Sequence, residues 1–342
     1  MGDIDDEIWL SICIPTYNRP LQLERMLKKL IPQISAGIEI VIRDDSETEE
    51  SRVLIDKLFS EQCINYRYFS GSRIGVDSAA IFLLEKSIGK YIWWFSDDDE
   101  MTPNVITEIK EIVLKSDYEV VWANFSYNQY GSLAVNRPSG PFDSPDEALR
   151  VLGTNVGLIS TQIIRRKTGL RAIDFAKKHI HGISFASTAI FLKSLGGVGG
   201  GYFIRGPAIK CNPTEIEEII KITSKDGEII NNGFKVYGEY FRELVVDLPD
   251  AYSKSAKRYA ISINFSSLWR GMLVGWVGGW DTPRGKRLKM LKLYWSFPEC
   301  WIALTLFCLP RPVVSSFYKM YKIFFSHRKF IFIDRLRGFW HK

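Results

Sequence analysis

The stretch Tyr91-Ile-Trp-Trp-Phe-Ser-Asp-Asp-Asp99 is an apolar segment that ends in three consecutive carboxylates, with Pro103 close behind. The pattern predicts a buried β-strand with an acid cluster at its carboxyl end. Buried carboxylates are costly unless a cation neutralises them, and a divalent metal is the simplest such cation. Mg²⁺ and Mn²⁺ prefer these hard oxygen ligands, and Mg²⁺ binds one or two carboxylates together with substrate phosphates. The alternative is a solvated acidic turn that caps the following helix.

The composition of the 342-residue chain favours a globular protein with a core domain and an appendage. Hydrophobic residues make up 46% of the sequence, which is ample for a packed core. The five cysteines are widely scattered and include no C-x-x-C pair. This spacing argues against a disulfide framework or a zinc site and indicates a reducing compartment. The acidic start, Met-Gly-Asp-Ile-Asp-Asp, predicts no signal peptide.

Apolar runs on either side of the opening stretch alternate with segments of helical periodicity. The predicted strands are 8–15, 38–43, 64–69, 91–95 and 119–125, and the predicted helices between them are 21–31, 53–59, 79–86 and 105–114. Such alternation predicts an α/β fold with a largely parallel sheet covered by helices on both faces. In open sheets of this kind, ligands bind beyond the carboxyl ends of the strands.

Polar segments occur at the predicted ends of these strands. They are Pro15-Thr-Tyr-Asn-Arg19, Arg43-Asp-Asp-Ser-Glu47, Gly71-Ser-Arg-Ile-Gly-Val-Asp77 and Ser96-Asp-Asp-Asp99. Each segment suits one part of a nucleotide-sugar. Tyr17 can stack on a base, and Asp44 or Asp45 can accept a hydrogen bond from a base or a ribose. Arg73 can neutralise a diphosphate, although it also fits a surface position, and Asp77 also fits a helix cap. Four such segments at successive strand ends favour one shared site.

The segments S-I-C-I-P-T-Y-N-R-P, I-V-I-R-D-D-S, R-I-G-V-D-S-A-A and F-S-D-D-D-E-M-T-P occur in this order. Together they resemble the motifs of the family 2 glycosyltransferases of the GT-A fold, closely over residues 8–130 and loosely to about residue 210. The sequence is most similar to bacterial enzymes that build O-antigen and capsule, including the abequosyltransferase-like group. The resemblance implies a Rossmann-like, mostly parallel sheet flanked by helices, and sugar transfer from a nucleotide-sugar donor.

When the motifs are matched position by position, the resemblance implies that Tyr17 stacks on the base and that Asp44, or less favourably Asp45, makes a hydrogen bond to the base. Ser96 stands where the family usually has the first Asp of a D-x-D-D motif, which favours Asp98 as the metal ligand. The implied cofactor is Mn²⁺ or Mg²⁺. The implied nucleotide-sugar-binding residues are Pro15, Thr16, Tyr17, Asn18, Asp44, Asp45, Arg73, Asp77 and Asp97, and the implied metal ligands are Asp98 and Asp99.

The resemblance also implies an inverting transfer. An acceptor hydroxyl attacks the anomeric carbon while the nucleoside diphosphate leaves, and a carboxylate or histidine takes the acceptor proton. The candidate bases are Asp174 and His181, between a predicted strand at 158–165 and a predicted helix at 183–195. His179 and the acids of 215–218 remain alternatives, and either histidine also fits a surface or helix-cap position.

The C-terminal part differs in charge and composition from the rest. Residues 283–342 contain thirteen Lys and Arg against two acids, a net charge of +11, which leaves the preceding chain at −5. Aromatic residues are interleaved with these cations, and the longest uncharged run, 300–310, is about half of what a spanning helix needs. The pattern predicts a segment that lies on a membrane surface. The alternatives are a helical subdomain packed on the core and, less favourably, a nucleic-acid-binding tail.

The predicted organisation is a GT-A catalytic domain at 1–212, with a nucleotide-binding half at 8–130 and an acceptor half at 131–212. A helical region at 213–342 follows, with helices expected at 234–248 and 256–277 and a membrane-interface segment at 283–342. We expect a UDP-sugar donor, a polyprenyl-diphosphate-linked or other glycan acceptor, no nucleic acid, and a cytoplasmic location at the inner face of the membrane. The alternatives are a nucleotidyltransferase, although Pro-Thr-Tyr-Asn replaces the glycine-rich loop that it needs, and an inactive nucleotide-sugar-binding protein.

Overall fold

The computed structural model describes residues 8–60, 62, 64–127, 132–181, 185–211, 234–277, 284–316 and 318. The chain divides into two units, Met1–Glu215 with Asp247–Lys257 and Ile216–Val246 with Arg258–Lys342. The boundary expected at residue 212 lies outside the described residues.

The first unit contains a nine-stranded mixed sheet with helices between its strands. The strands are β1 (Leu10–Thr16), β2 (Ile38–Asp44), β3 (Asn65–Ser70), β4 (Tyr91–Trp94), β5 (Glu100–Met101), β6 (Val120–Tyr127), β7 (Gly140–Pro141), β8 (Gln162–Arg165) and β9 (Gly201–Cys211). The helices are α1 (Pro20–Leu30), α2 (Glu50–Ser60), α3 (Val76–Lys86), α4 (Val105–Lys115), α5 (Pro145–Leu152), α6 (Arg166–Arg171), α7 (Ile173–Ala176) and α8 (Phe185–Leu195). Every strand and helix predicted between residues 8 and 125 is present, with ends shifted by a few residues.

The strand order is β3-β2-β1-β4-β8-β6-β9-β5, and β7 pairs with β9. β1, β2, β3, β4, β6 and β9 share one direction, whereas β8 is antiparallel to both of its neighbours, β4 and β6. Six strands thus share one direction, but four of the eight strand pairings are antiparallel, so the sheet is mixed rather than largely parallel as the alternation predicts. The predicted strand at 158–165 is shorter in the structure, because 3-10 turns occupy Gly153–Gly157 and Ile159–Thr161 before β8 begins.

The core of the first unit is centred on β4. Successive side chains of a strand point to opposite faces of the sheet, and Trp93 and Trp94 are both fully buried. The sheet is thus covered on both faces at this strand. Each indole also makes a hydrogen bond, from Trp93 Nε1 to the Ser160 carbonyl at 2.7 Å and from Trp94 Nε1 to the Ala80 carbonyl at 3.0 Å. These bonds attach the segment before β8, and helix α3, to the strand that precedes the three acids.

The C-terminal region is helical where it is described. A π-helical segment, Phe234–Tyr240, precedes α9 (Phe241–Asp247), α10 (Lys254–Val277), α11 (Arg284–Tyr294) and α12 (Pro298–Cys308). None of the helices described in this chain is both long enough and apolar enough to cross a membrane. In the second unit the rings of Phe265 and Tyr294 stack with centroids 4.1 Å apart. Of the fourteen aromatic residues predicted to lie on a membrane, eight, namely Phe317 and those from residue 319 onward, are outside the described residues.

Candidate functional site

The four polar segments lie at one edge of the sheet, where the parallel strands β1 to β4 end. Pairing across the strands aligns Thr16 with Asp44, and Asp44 with Ser70. On the other side of β1, Cys13 pairs with Trp94, so the residues that follow β4 reach the same edge. Residues 96–99, which carry the three acids, form the acid turn. The shared carboxyl edge of parallel strands is where open α/β sheets bind ligands.

The three carboxylates of the acid turn differ in their surroundings. Asp97 and Asp99 are buried, whereas the Asp98 side chain is 21% exposed. Thr16 Oγ1 donates a hydrogen bond to Asp97 Oδ2 at 2.7 Å, and Ser96 Oγ donates to Asp98 Oδ1. Of the three acids, Asp98 is therefore the one most accessible to a ligand.

Ser160 joins the two ends of the acid turn. Its Oγ donates to Asp99 Oδ2 at 2.6 Å and accepts from the Ser96 backbone N–H at 2.9 Å. The Cys211 thiol also makes a hydrogen bond with the Asp99 carboxylate. Ser160 was not among the predicted site residues, because a single serine carries no local signal and its role depends on the position of the segment before β8.

Burial and mutual repulsion make the acid turn electrostatically unfavourable. Burial, followed by the charge of Asp98, raises the pKa of Asp97 to about 6 and the pKa of Asp99 to about 7. The Arg19 guanidinium opposes the shift at Asp97. Raised carboxyl pKa values mean that the charged forms of Asp97 and Asp99 are disfavoured, and a bound proton or a further cation offsets this cost.

The loop between β1 and α1 brings a cation to the acid turn. Asn18 has a φ of 53°, in the left-handed region, and its N–H donates to Ser46 Oγ at 2.7 Å. The next residue is Arg19, whose Nη1 lies 3.3 Å from Asp97 Oδ1 and 3.1 Å from Asp98 Oδ2. Arg19 belongs to the segment singled out in the sequence, but no role was predicted for it.

Tyr17 and Arg73, predicted to contact the base and the diphosphate, lie together. The Arg73 guanidinium is 4.2 Å from the centroid of the Tyr17 ring, a cation–π contact. Pro15, at the end of β1, is half-buried and pairs with Arg43 of β2. The structure therefore brings residues of the first and third polar segments into contact.

Asp44 and Asp45 are both buried but have different partners. Asp44 accepts from the Tyr68 hydroxyl at 2.6 Å and from the Ser46 N–H at 2.8 Å. Asp45 accepts from Arg43 Nε at 2.9 Å and from the N–H groups of residues 74 and 75 at 3.0 and 2.9 Å. The Asp45 carboxylate thus organises the loop that carries Arg73, and both oxygens of Asp44 also accept hydrogen bonds, so these contacts do not distinguish the two acids as candidates for reading a base.

The structure also joins Asp77 to a candidate base. Asp77, in the first turn of α3, is buried and accepts from the His181 N–H at 3.0 Å and from the Ala186 N–H at 2.8 Å. The His181 backbone is thereby fixed next to the start of α3. Asp174, the other candidate, is exposed on α7, and the structure does not bring it together with the acid turn.

His179, the alternative base, is buried, and its ring centroid lies 5.0 Å from that of Phe175. Its Nε2 is 3.6 Å from the Asp247 carboxylate, and burial lowers its pKa. These contacts suit a packed core histidine. The acids of 215–218 lie outside the described residues.

The acid turn fits a metal shared with phosphates better than a metal held by protein alone. Among the residues that the structure describes, no three His, Cys, Asp or Glu side chains converge into a metal cage. One or two carboxylates completed by substrate phosphates is an arrangement that Mg²⁺ commonly adopts, and these hard oxygen donors also suit Mn²⁺. Because Asp99 is buried against Ser160, Asp98 is the more accessible of the two predicted ligands.

The chain was also compared with known proteins. A family model described as "Glycosyl transferase family 2" matches residues 11–190. The abequosyltransferase RfbV of Salmonella typhimurium is 24% identical over 221 residues, which cover 59% of this chain and 66% of RfbV. The Escherichia coli UDP-Glc:alpha-D-GlcNAc-diphosphoundecaprenol beta-1,3-glucosyltransferase WfaP is 27% identical over 169 residues, 48% of this chain and 64% of WfaP. The chain thus spans slightly less than two thirds of the length of either relative.

Among solved structures, residues 1–349 of S. aureus TarS, in complex with UDP, resemble this chain with a TM-score of 0.60. The match covers 86% of this chain and 83% of the TarS chain at 12% sequence identity. At this identity the likeness concerns the fold, and it agrees with the mixed α/β sheet described above.

Proposed function

Since the chain belongs to glycosyl transferase family 2, as its motifs predict, we propose that it transfers a sugar from a nucleotide-sugar to a saccharide acceptor in surface polysaccharide synthesis. One observation carries the proposal. The acid turn lies in hydrogen-bond contact with Thr16 and Arg19, at the sheet edge that also presents Tyr17 and Arg73. A nucleotide, a diphosphate and a metal each find suitable side chains along this edge.

In the proposed donor complex, Tyr17 stacks on the base and Asp44 accepts a hydrogen bond from it. In this complex the Arg73 guanidinium leaves the Tyr17 ring and binds the diphosphate. Pro15, Thr16 and Asn18 shape the loop, Asp97 lies toward the ribose, and Asp45 and Asp77 support the loops. We propose UDP as the nucleotide, because the name of WfaP includes UDP-Glc and TarS was solved with UDP.

The proposed cofactor is Mn²⁺ or Mg²⁺, held by Asp98 with Asp99 as a supporting group. When bound, the metal would offset the negative charge that grows on the leaving diphosphate. The role of the buried acids is to keep Asp98 in place. Asp97 does so through its hydrogen bond from Thr16, and Asp99 through its hydrogen bond from Ser160.

The proposed reaction inverts the anomeric centre. The acceptor hydroxyl attacks the anomeric carbon, the bond to the diphosphate oxygen breaks, and a protein base takes the hydroxyl proton. His181 is the better candidate base, because Asp77 fixes its backbone at the sheet edge, whereas Asp174 is exposed on α7.

The proposed acceptor is a saccharide on a polyprenyl diphosphate, since the name of WfaP includes a diphosphoundecaprenol-linked sugar. A lipid-linked acceptor requires access to a membrane. Trp295 and Trp301, which are 63% and 54% exposed, provide apolar contact surface in the second unit. We therefore propose a peripheral location at the inner face of the cytoplasmic membrane.

The test is turnover by the purified full chain with a panel of nucleotide-sugars, Mn²⁺ or Mg²⁺, and membrane extract as a source of acceptor. We expect acceptor-dependent release of one nucleoside diphosphate and incorporation of its sugar into the lipid fraction. Donor binding without release under any of these conditions would favour the inactive binding protein. Release of pyrophosphate from a nucleoside triphosphate would favour the nucleotidyltransferase.

A further inference from the structure

Arg19 forms a bridge between two carboxylates of the acid turn. Its Nη1 lies 3.1 Å from Asp98 Oδ2 and 3.3 Å from Asp97 Oδ1. The remaining oxygen of each acid also accepts a hydrogen bond. Ser96 Oγ donates to Asp98 Oδ1, and Thr16 Oγ1 donates to Asp97 Oδ2. All four oxygens of Asp97 and Asp98 therefore contact protein groups, and one cation spans both acids.

The bridge is a strong interaction in a position from which it can be released. A guanidinium stays charged at any pH relevant to a protein, and its hydrogen bonds to carboxylates are charge-assisted. Asp97 and Asp98 are mostly buried, with side chains 6% and 21% exposed, which limits solvent screening. The Arg19 side chain is 34% exposed, so it can swing outward from the acids without crossing the core.

A divalent ion that binds Asp98 Oδ2 takes the place of this guanidinium, because both cations cannot share one oxygen at bonding distance without strong repulsion. We propose that Arg19 is a built-in counter-ion of the acid turn, which a divalent metal must displace from Asp98, so that Arg19 keeps the affinity of the protein for the free metal low. The inference rests on the proposed function, in which the donor diphosphate provides the released guanidinium with a new anionic partner.

The experiment measures Mn²⁺ alone binding to the full chain, in the absence of nucleotide. The free Mn²⁺ signal is followed by electron paramagnetic resonance for the wild type, Arg19→Gln, Arg19→Lys and Arg171→Gln. Arg171 is exposed at the end of α6, so its substitution is a control for the same change in net charge. Thermal unfolding of each variant checks that the fold is retained.

We expect Arg19→Gln to bind Mn²⁺ about tenfold or more tightly than the wild type, since the competing charged hydrogen bonds are lost. Arg19→Lys should fall between the two, and Arg171→Gln should match the wild type. Unchanged or weaker Mn²⁺ binding by Arg19→Gln, or no Mn²⁺ binding by any variant, would overturn the inference. Because this measurement involves no turnover, it can fail while the sugar-transfer assay succeeds, and the two failures are distinguishable.

Discussion

The three acids of the acid turn are adjacent in sequence but are not equivalent. Asp97 and Asp99 are buried and bonded to Thr16 and Ser160, whereas Asp98 is the most exposed of the three. Their positions suggest a division in which the two buried acids shape the turn and Asp98 meets the ligand. Substitution of Asp98 should therefore affect sugar transfer, whereas loss of a hydrogen bond to a buried acid should affect stability.

Asp98→Asn should reduce sugar transfer by about 100-fold or more, because an amide cannot replace the charge that a metal needs, while the free energy of unfolding changes by less than about 1 kcal/mol. Steady-state kinetics and urea unfolding measure the two effects. Asp143→Asn, an exposed acid before α5, is the matched control and should leave both unchanged. Transfer retained by Asp98→Asn would refute the assignment of the ligand.

Ser160→Ala should lower the free energy of unfolding by about 1 to 3 kcal/mol, because it leaves the Ser96 N–H and Asp99 Oδ2 without their buried partner. Ser194→Ala is the control. Ser194 is also a buried serine, but its hydroxyl has no hydrogen-bond partner among the described residues. Urea unfolding of the two variants compares the effects, and equal losses would show that the Ser160 bonds add no stability.

At the level of elements, the position of the acid turn depends on how closely β4 approaches β1. Gly89, just before β4, donates its N–H to Ser11 Oγ at 2.8 Å. A Cβ atom at this glycine would lie 2.7 Å from the Ser11 backbone nitrogen and 2.8 Å from the Leu10 carbonyl carbon. Any larger residue must therefore push β4 away from β1, and with it the acids from Thr16.

Gly89→Ala should destabilise the protein by about 1 to 3 kcal/mol, because the contact is with backbone that cannot move without shifting a strand. The donor affinity should fall as well, since β1 and β4 carry the two halves of the site. Gly157→Ala is the matched control, because a Cβ there meets nothing within 4 Å. Denaturant unfolding and donor titration test both effects, and equal behaviour of the two variants would contradict the argument.

At the level of the whole molecule, the C-terminal aromatic residues fall into two groups. Tyr294, Phe297 and Phe307 are buried, so part of the region packs as a helical unit. Trp295 and Trp301 are exposed, and the Trp301 Nε1 donates to the Trp295 backbone carbonyl at 2.9 Å, which holds the Trp301 indole against the backbone of Trp295. Truncation at residue 283 would remove buried side chains as well as exposed ones, so point substitutions are a cleaner test of membrane contact.

The double variant Trp295→Ser/Trp301→Ser should bind anionic vesicles at least about tenfold more weakly than the wild type, because indoles favour the headgroup region. Co-sedimentation with anionic and with neutral vesicles measures the loss. Leu21→Ser/Val53→Ser is the matched control, since these exposed apolar residues lie on α1 and α2. Unchanged sedimentation of the tryptophan variant would place the membrane contact elsewhere or exclude it.

Local sequence patterns were enough to predict the α/β sheet, the parallel strands β1 to β4 and the polar segments at their edge. Alternating periodicities and turn residues act over a few neighbours, and parallel strands must end at the same edge. The antiparallel placement of β8, the bond from Ser160 to Asp99 and the bridge from Arg19 to Asp98 emerged only in the tertiary structure. The two side-chain contacts join residues that are 61 and 79 positions apart in the sequence. No local pattern specifies such pairings, because they depend on how whole elements pack.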